Sequence, residues 1–518
     1  MRIINNTVAL LFLASTLLLG GCSKEWLDTE PADSLTPNQI TSEINNLESL
    51  VEGIHNWNYA SYKGSQIVPD GCTFFGPYLD MLGDDLFNST PAILMGQYQW
   101  TSHRDPYSSI VFTFWDHLYT VIMYSNQIIA SGEGMQVAEG QKPQLNRILS
   151  EAYFFRAWSY FYLTQLYGPR FEKGKANDGL GVVIRLTENR DPAARNTVAE
   201  CYAQINKDIA SAISYSEKAK FLGRKNRIEP AAIYGIAARI ALAQSDWAKA
   251  EDMASKSIKA QGGELSGAEL LKGFNNIEAK EWIWGYTYGS TQNFYFADFN
   301  STFSYNFNGH NSGVKFAINR EIYDHMGAND IRRKLWICED LGDKLPADVS
   351  AEMIDNAELT GFPVKFKANS NSDSRGDKMI MTIAEQYFNL AEAQARQGKD
   401  SEAQATLTTL MKSRDPEYST TLTGEELINE IFMQKRVDLW LDGLRFLDLK
   451  RTKTMVTTPV EANIKHMNPE TQGDRIKQAG IRGARRKLPT TIDGKEWEFA
   501  IPYDEIKAAP DLVKQNPL

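Results

Sequence analysis

Apolar residues recur at helical spacing along most of the chain, in blocks separated by short polar turns. Ile40, Ile44, Leu47, Leu50, Val51 and Ile54 follow at three- and four-residue steps behind Thr36 and Pro37, a cap residue and a first-turn proline. From Glu151 to Tyr167 the residues Phe154, Phe155, Trp158, Phe161, Tyr162 and Leu166 make a stripe so wide that this helix must be nearly surrounded by protein, and Gly168-Pro169 ends it. Residues 231 to 260 and 381 to 414 each read as two helices joined by a tight turn, at Ser245-Asp246 and at Gly398-Lys399.

Those two helix pairs superimpose at a constant offset: Tyr234 on Tyr387, Ala238 on Ala391, Gln244 on Gln397 and Ala250 on Ala403. Small alanines at the crossing point let antiparallel helices approach closely, and an aromatic ring fills the wedge between them. That is the logic of a tetratricopeptide-type pair. The tandem 34-residue period of a pure array is missing, so the pairs are expected to be dispersed, with loops inserted between them. Residues 281 to 286 (EWIWGY) alternate like a short strand.

The loops have their own character. Residues 282 to 307 hold eleven aromatics, several-fold above the chain's 11% content, interleaved with Asn, Ser and Gly, and Asp298 is the one formal charge there. A second aromatic-rich stretch spans about 57 to 119 and includes Trp57, Tyr98, Trp100, Tyr107 and Trp115. Long aperiodic loops are usually functional or disordered, and such aromatic density argues against disorder. A neutral, hydroxyl-rich ligand suits this chemistry: a sugar ring offers an apolar face to an indole or phenol while its hydroxyls bond amides and carboxylates. After association costs, a few stacked rings leave affinities in the micromolar to millimolar range.

Composition narrows the class. A formal charge of −10 argues against a general nucleic-acid binder, which needs a basic surface; the basic run Arg482 to Lys487 reads as a solvated or ion-paired segment. The run Val8 to Leu19 is shorter than the roughly 20 apolar residues of a membrane span and suits the h-region of a secretory signal. It leads into Leu19-Gly20-Gly21-Cys22, which reads as a lipoprotein cleavage site with Cys22 as the acylated residue. Residues 1 to 21 are then a signal peptide, 22 to 37 a polar tether, and 38 to 518 a single domain. Cys72, Cys201 and Cys338, odd in number and widely spaced, read as buried small hydrophobes.

Catalytic signatures are missing: there is no GxSxG, HExxH, Walker A or CxxC motif, and the six histidines show no ligand spacing. Asp84-Asp85 reads as a capping or solvated pair and not as glycosidase carboxylates, because adjacent acids point in different directions. Asn369 to Asp373 alternates oxygen donors like a calcium loop, but Ser374 and Ile380 stand where that loop needs glycine and an acid, so it reads as a polar turn. No metal or cofactor is expected.

Several segments resemble one family. They are Leu27-Asp28-Thr29-Glu30-Pro31, Phe114-Trp115 through Ile129, AWSYFYLTQLYGPRF at 157 to 171, YFNLAEAQARQG at 387 to 398, Gln434 to Trp440 leading into Gly443 to Arg451, and the closing IPYDEIKAAPDLVKQNPL. In this order, behind a lipobox, they resemble the SusD/RagB-like lipoproteins, substrate-capturing partners of SusC-like TonB-dependent outer-membrane transporters. The resemblance implies a mainly α fold in which four tetratricopeptide-like helix pairs scaffold an irregular ligand-binding region with short strands, its aromatic-rich loops inserted at about 57–119 and 282–313. It also implies a non-catalytic, lipid-anchored outer-membrane protein, exposed at the cell surface, that binds oligosaccharides and passes them to the transporter. Lys24-Glu25 is similar to the family's surface-export signal, with one acid only, and Pro169-Arg170-Phe171 departs from the family's Asp-Val-Pro.

Ligand loops vary within the family, so candidate glycan contacts come from aromatic placement: Tyr98, Trp100, Tyr286, Tyr288, Tyr295 and Tyr305, with Arg104 and Asn306 as hydrogen-bonding partners. The alternatives are a RagB-like protein that captures oligopeptides, a surface glycosidase, and a tetratricopeptide scaffold without a small ligand.

Overall fold

The computed structural model of the chain describes residues 43–59, 71–88, 94–189, 191–288, 298–307, 316–338, 346–348 and 361–518. Cys22, the signal and tether segments, and Tyr295 lie outside them. The fold is mainly helical. Helix α1 (Ile44–Tyr59) is followed by α2 (Ser109–Glu133), α3 (Lys142–Tyr167) and α4 (Val198–Ser216). The alanine-rich pair is α5 (Pro230–Ala243) and α6 (Trp247–Gln261), and its counterpart is α7 (Ile383–Ala395) and α8 (Asp400–Met411). The C-terminal part adds α9 (Gly424–Asp438), α10 (Arg445–Thr452), α11 (Pro469–Ala484) and α12 (Tyr503–Ala508).

Helix α3 is buried all round from Arg147 to Tyr167, as its wide apolar stripe requires, and packs against both α2 and α4. Its end falls at Tyr167, before Gly168. Helix α4 starts on a capping box: the Glu200 N–H donates to Thr197 Oγ1 (3.2 Å) and the Thr197 N–H to Glu200 Oε2 (2.8 Å).

The paired alanines behave as the repeat predicts. Ala238, Ala250, Ala391 and Ala403 are fully buried, α5 packs on α6 and α7 on α8, and α6 also packs on α7, so the two pairs stack. The turns fall at Ser245-Asp246, where the Asp246 carboxylate caps Lys249 N (3.4 Å), and at Gly398, whose φ of +73° is the left-handed conformation that glycine adopts without cost.

Strands are short. β1 (Leu86–Asn88) pairs with β3 (Phe316–Ile318), β2 (Trp282–Tyr286) with β6 (Lys378–Thr382), and β4 (Trp336–Ile337) with β5 (Phe362–Pro363), each as a two-stranded antiparallel sheet. Register shifts at Trp282/Trp284 and Trp284/Gly285 in the β2–β6 ladder leave all of β2 buried, so alternation along the strand does not separate an inner from an outer face.

Buried ion pairs join the helical frame to the loop-bearing half. Arg414 makes two 2.6 Å bonds to Glu281, at the foot of β2, and bonds of 2.9 and 3.1 Å to Asp438 at the end of α9. Arg156 grips Asp208 through two bonds of 2.9 and 2.7 Å. Glu151 on α3 receives Arg147, Arg227 and His55. Burial alone would push the Glu151 carboxyl up, but His55 and Arg227 outweigh it and hold the pKa at about 2.

The adjacent acids Asp84 and Asp85 are neither solvated nor capping, contrary to the sequence reading. Both are buried and paired with arginines from two C-terminal helices: Arg436 reaches Asp85 (2.6 Å) and Asp84 (3.3 Å), and Arg445 reaches Asp84 (2.7 Å). Despite burial, Arg445 and Arg436 hold Asp84 well below the usual carboxylate range. Next to this cluster Gly443 (φ +81°) packs on Gly76, and a Cβ at 443 would stand 2.4 Å from the Gly76 Cα, so no larger residue fits. The basic run is likewise structural at Arg486, which is buried and donates to the carbonyls of Tyr98 (2.9 Å), Thr457 (3.1 Å) and Gly83 (2.7 Å). Cys72, Cys201 and Cys338 are buried, as the sequence reading expects.

Two predictions follow from these buried charges. Arg414→Ala leaves Glu281 and Asp438 buried without their shared cation and should lower the unfolding free energy in urea by about 3–5 kcal/mol. Stability should also fall on acidification. Burial holds His103 and His117 neutral in the fold, with pKa values pushed down to about 3 from 6.5, so below pH 6.5 the unfolded chain binds protons that the folded one refuses. That stabilisation is complete above pH 6.5 and is lost as pH falls toward 3; the Glu151 contribution is lost from about 4.5 toward 2. Urea midpoints measured from pH 8 to 4 should stay level and then decline below 6.5, with a shallower decline in His117→Gln.

Candidate ligand-binding face

Most of the aromatics expected to face solvent are core residues. Trp100 is 1% exposed and packs edge-on against Trp497 (5.3 Å between ring centroids) and Phe446 (5.8 Å). Its backbone sits at φ +61°, a strained conformation for a side chain this large, and the burial of the indole holds it there. Tyr98 is fully buried beneath Arg486, whose guanidinium lies 4.6 Å from its ring centroid. Tyr286 is enclosed by Trp284, Tyr59 and His55. The physical reason is common to all three: an uncharged loop segment has no other apolar material with which to build a core, so its rings turn inward.

The remaining candidates divide. Tyr305 is 8% exposed, and its hydroxyl reaches Asp348 (3.2 Å). Asn306 is buried and exchanges two hydrogen bonds with the backbone of Ala368 (2.8 and 3.1 Å), in the manner of a strand pair. Arg104 is part-buried and donates to the carbonyls of Lys495, Glu498 and Pro517, so it straps the C-terminal segment down instead of meeting a ligand. Tyr288, just beyond β2, is half-buried and packs at the edge of the core.

Tyr288 stands at the edge of a polar ledge. The Arg375 guanidinium lies 5.4 Å from its ring centroid, a cation–π distance, and is aligned by a two-point ion pair with Asp373 (2.9 and 3.0 Å). Hydrogen bonding from Arg375 holds the Asp373 carboxyl below its ordinary pKa, and Asp373 holds Arg375 above its own. Asn275 ties the ledge together: its amide donates to Asn369 Oδ1 (3.2 Å) and the Lys367 carbonyl (3.1 Å), and its oxygen accepts from the Asp377 N–H (2.7 Å). Gly376 lies against Asn275 and Asn300, where a Cβ would come within 2.5 to 2.6 Å of both amides, so only glycine lets the segment sit this close.

Below the ledge, Asp377 accepts from the Ile277 N–H (2.8 Å) and the Tyr288 N–H, while burial raises its pKa. Lys378 lies 4.5 Å over the Tyr59 ring. A cavity of about 50 Å³ opens there between Phe274, Phe299 and Phe366, room for a water or two but not for a sugar ring.

The segment 369–374 is thus a polar turn, closed by the Ser370 N–H on the Asp373 carbonyl (3.2 Å), and its one carboxylate is taken by Arg375. Among the described residues no cluster of metal-ligating side chains is present. Sequence reasoning placed Asp373 in a polar turn and passed over Arg375. The signal was there, in alternate polar residues ending beside a lone arginine, but it became meaningful only once the turn leading into β6 delivered that arginine to Tyr288.

Comparison with known proteins matches two profiles of one family: residues 25–242 fit one described as "Starch-binding associating with outer membrane", and residues 358–518 fit one described as "SusD family". A SusD-like protein of Bacteroides ovatus is 23% identical over 253 residues, 48% of this chain, and the match spans only 41% of that relative. Among solved structures, a SusD-like carbohydrate binding protein from Bacteroides vulgatus superimposes with a TM-score of 0.68 at 22% identity, covering 80% of this chain and 85% of that one. A SusD superfamily protein from Bacteroides thetaiotaomicron gives 0.71 at 20% identity over 92% of this chain and all of the other. The repeat architecture, the two profile matches and this shared fold agree: the chain belongs to the SusD/RagB-like family.

Proposed function

We propose that the protein is a non-catalytic lipoprotein of the outer membrane that captures oligosaccharides and delivers them to a SusC-like TonB-dependent transporter. The observation that carries the capture step is the ledge at Tyr288. A phenol ring offers a stacking face, the Arg375–Asp373 pair presents fixed donors and acceptors beside it, and the exposed Asn369 supplies an amide. Vicinal hydroxyls on a pyranose ring match paired polar groups of this kind, and the ring's C–H face matches the phenol. The starch-binding description of the family profile and the carbohydrate-binding relative support the same ligand class.

Capture without cleavage is supported by the state of the acids. Asp84 and Asp85, the adjacent carboxylates nearest to a glycosidase pair in the sequence, are consumed by Arg436 and Arg445. The Leu19-Gly20-Gly21-Cys22 sequence supports anchoring through an acylated Cys22, and the family's outer-membrane description supports that location. Delivery to a transporter follows from the family resemblance, and a weak, open site suits it, because the ligand must leave as readily as it arrives.

The test is native affinity electrophoresis through gels containing soluble starch, galactomannan or xylan. At least one polysaccharide should retard the protein, and the double variant Tyr288→Ala/Arg375→Ala should weaken retention by about tenfold, the worth of one stacked, polar-flanked sugar, with an unchanged circular dichroism spectrum. Equal retention of variant and parent would remove the ledge as the capture site.

A further inference from the structure

A cavity much larger than the one beneath the ledge lies away from it. It is an open cleft of about 470 Å³ between α2, residues 183–189 with Pro192 and Ala193, and α12 with the residues after it. Its chemistry follows from helical spacing on α2. Trp115, Tyr119 and Ile122 form an apolar stripe, with ring centroids of Trp115 and Tyr119 4.9 Å apart, and Asp116 and Thr120, each one residue further along, form a polar stripe beside it. The opposite wall brings Glu505, Ala508 and Val513, and the third side brings Val183, Arg185 and Asn189.

The walls are held in place by bonds that leave the groups along the opening usable. The Tyr119 hydroxyl donates to the Val183 carbonyl (2.7 Å) and the Asn126 amide to the Arg185 carbonyl (2.9 Å), which pins residues 183–189 to α2. Arg185 Nη1 donates to the carbonyls of Asp191 (2.9 Å) and Asn189 (3.2 Å), so the guanidinium is oriented without being neutralised by a carboxylate in contact. The Trp115 indole N–H bonds Glu505, whose carboxyl is pushed up by burial, with Arg185 opposing and Asp116 adding to the rise.

We infer that this cleft is a second saccharide site, built for one or two pyranose rings, with the half-buried Tyr119 ring, backed by the buried Trp115, as its apolar floor and Asp116, Thr120, Arg185 and Glu505 as hydroxyl partners. The inference extends the reading of the chain as a saccharide-capturing protein but does not depend on the ledge. A volume near 470 Å³ lies within the roughly 300–1,000 Å³ range of small-molecule pockets. Among the described lining residues one guanidinium faces three carboxylates, Asp116, Glu188 and Glu505, a net negative lining that disfavours a phosphorylated ligand, and the polar stripe running along the floor is unsuited to an acyl chain. A second weak site joined rigidly to the first raises the residence of a long glycan that spans both, through effective concentration, while each contact stays easy to release.

The experiment is saturation-transfer NMR with maltose, cellobiose, mannobiose and xylobiose on the parent protein, on Tyr288→Ala/Arg375→Ala and on Ala508→Trp, which places an indole in the cleft from an exposed helix position. Glu505→Gln, close to isosteric, is the second cleft variant. In the ledge-variant background at least one disaccharide should still bind, and adding Ala508→Trp to it should cost at least tenfold in affinity and adding Glu505→Gln a few-fold. Binding abolished by the ledge variant, or untouched by both cleft variants, overturns the second site and leaves saccharide capture standing. Binding lost to the cleft variants alone overturns the ledge and supports the cleft. Silence from all four sugars with the parent protein overturns both.

Discussion

Buried arginine–carboxylate contacts hold the two halves of this molecule in one arrangement, and the loop-bearing half depends on them. Arg436 and Arg445 reach from the C-terminal helices to Asp84 and Asp85, and Arg414 clamps Glu281 at the foot of β2 to Asp438 at the end of α9. A buried ion pair adds little net stability against a well-packed apolar substitute, but its two-point geometry tolerates almost no displacement, and leaving one partner alone is costly. Such pairs therefore act on position more than on stability. They fix where β1, β2 and the 94–104 segment stand relative to the helix stack, and so where the turn leading into β6 places Arg375.

The aromatic loops show the same constraint from the apolar side. Between charged anchors the loop-bearing half has only short strands and turns, so its rings supply the core: Trp100 against Trp497 and Phe446, Tyr286 on β2 among Trp284, Tyr59 and His55. A ring committed to this packing is lost to ligand binding. What remains for recognition is the margin, where Tyr288 passes out of β2 and meets a polar turn. The site is thus a by-product of how the loop core closes, which explains why it consists of one phenol and a few oriented polar groups, without a row of exposed rings.

The ledge and the α2 cleft share a design at different scales. Each sets an aromatic surface beside polar groups whose orientation is fixed by bonds to backbone or to one another, Arg375 by Asp373 and Arg185 by the carbonyls of Asp191 and Asn189. Fixing those groups in advance lowers the ordering cost of binding without deepening the contact. Shallow, pre-oriented sites of this kind give fast exchange.

Local sequence was sufficient for the helical frame. The alanine positions 238, 250, 391 and 403, the turns at Ser245-Asp246 and Gly398, and the end of α3 at Tyr167 all follow from spacing and cap chemistry between near neighbours, and such short-range signals survive in any tertiary setting. The family resemblance was legible for the same reason. The site was not. Whether Trp100 or Tyr288 faces solvent depends on residues far along the chain, Trp497 for the one and Arg375 for the other. The fate of Asp84 and Asp85 rested on arginines more than 300 residues on. Aromatic enrichment in the chain counted rings and could not divide them, because an indole buried in a core and one offered to a sugar are chosen by the same apolar chemistry, and only the packing of distant segments decides which of them stays uncovered.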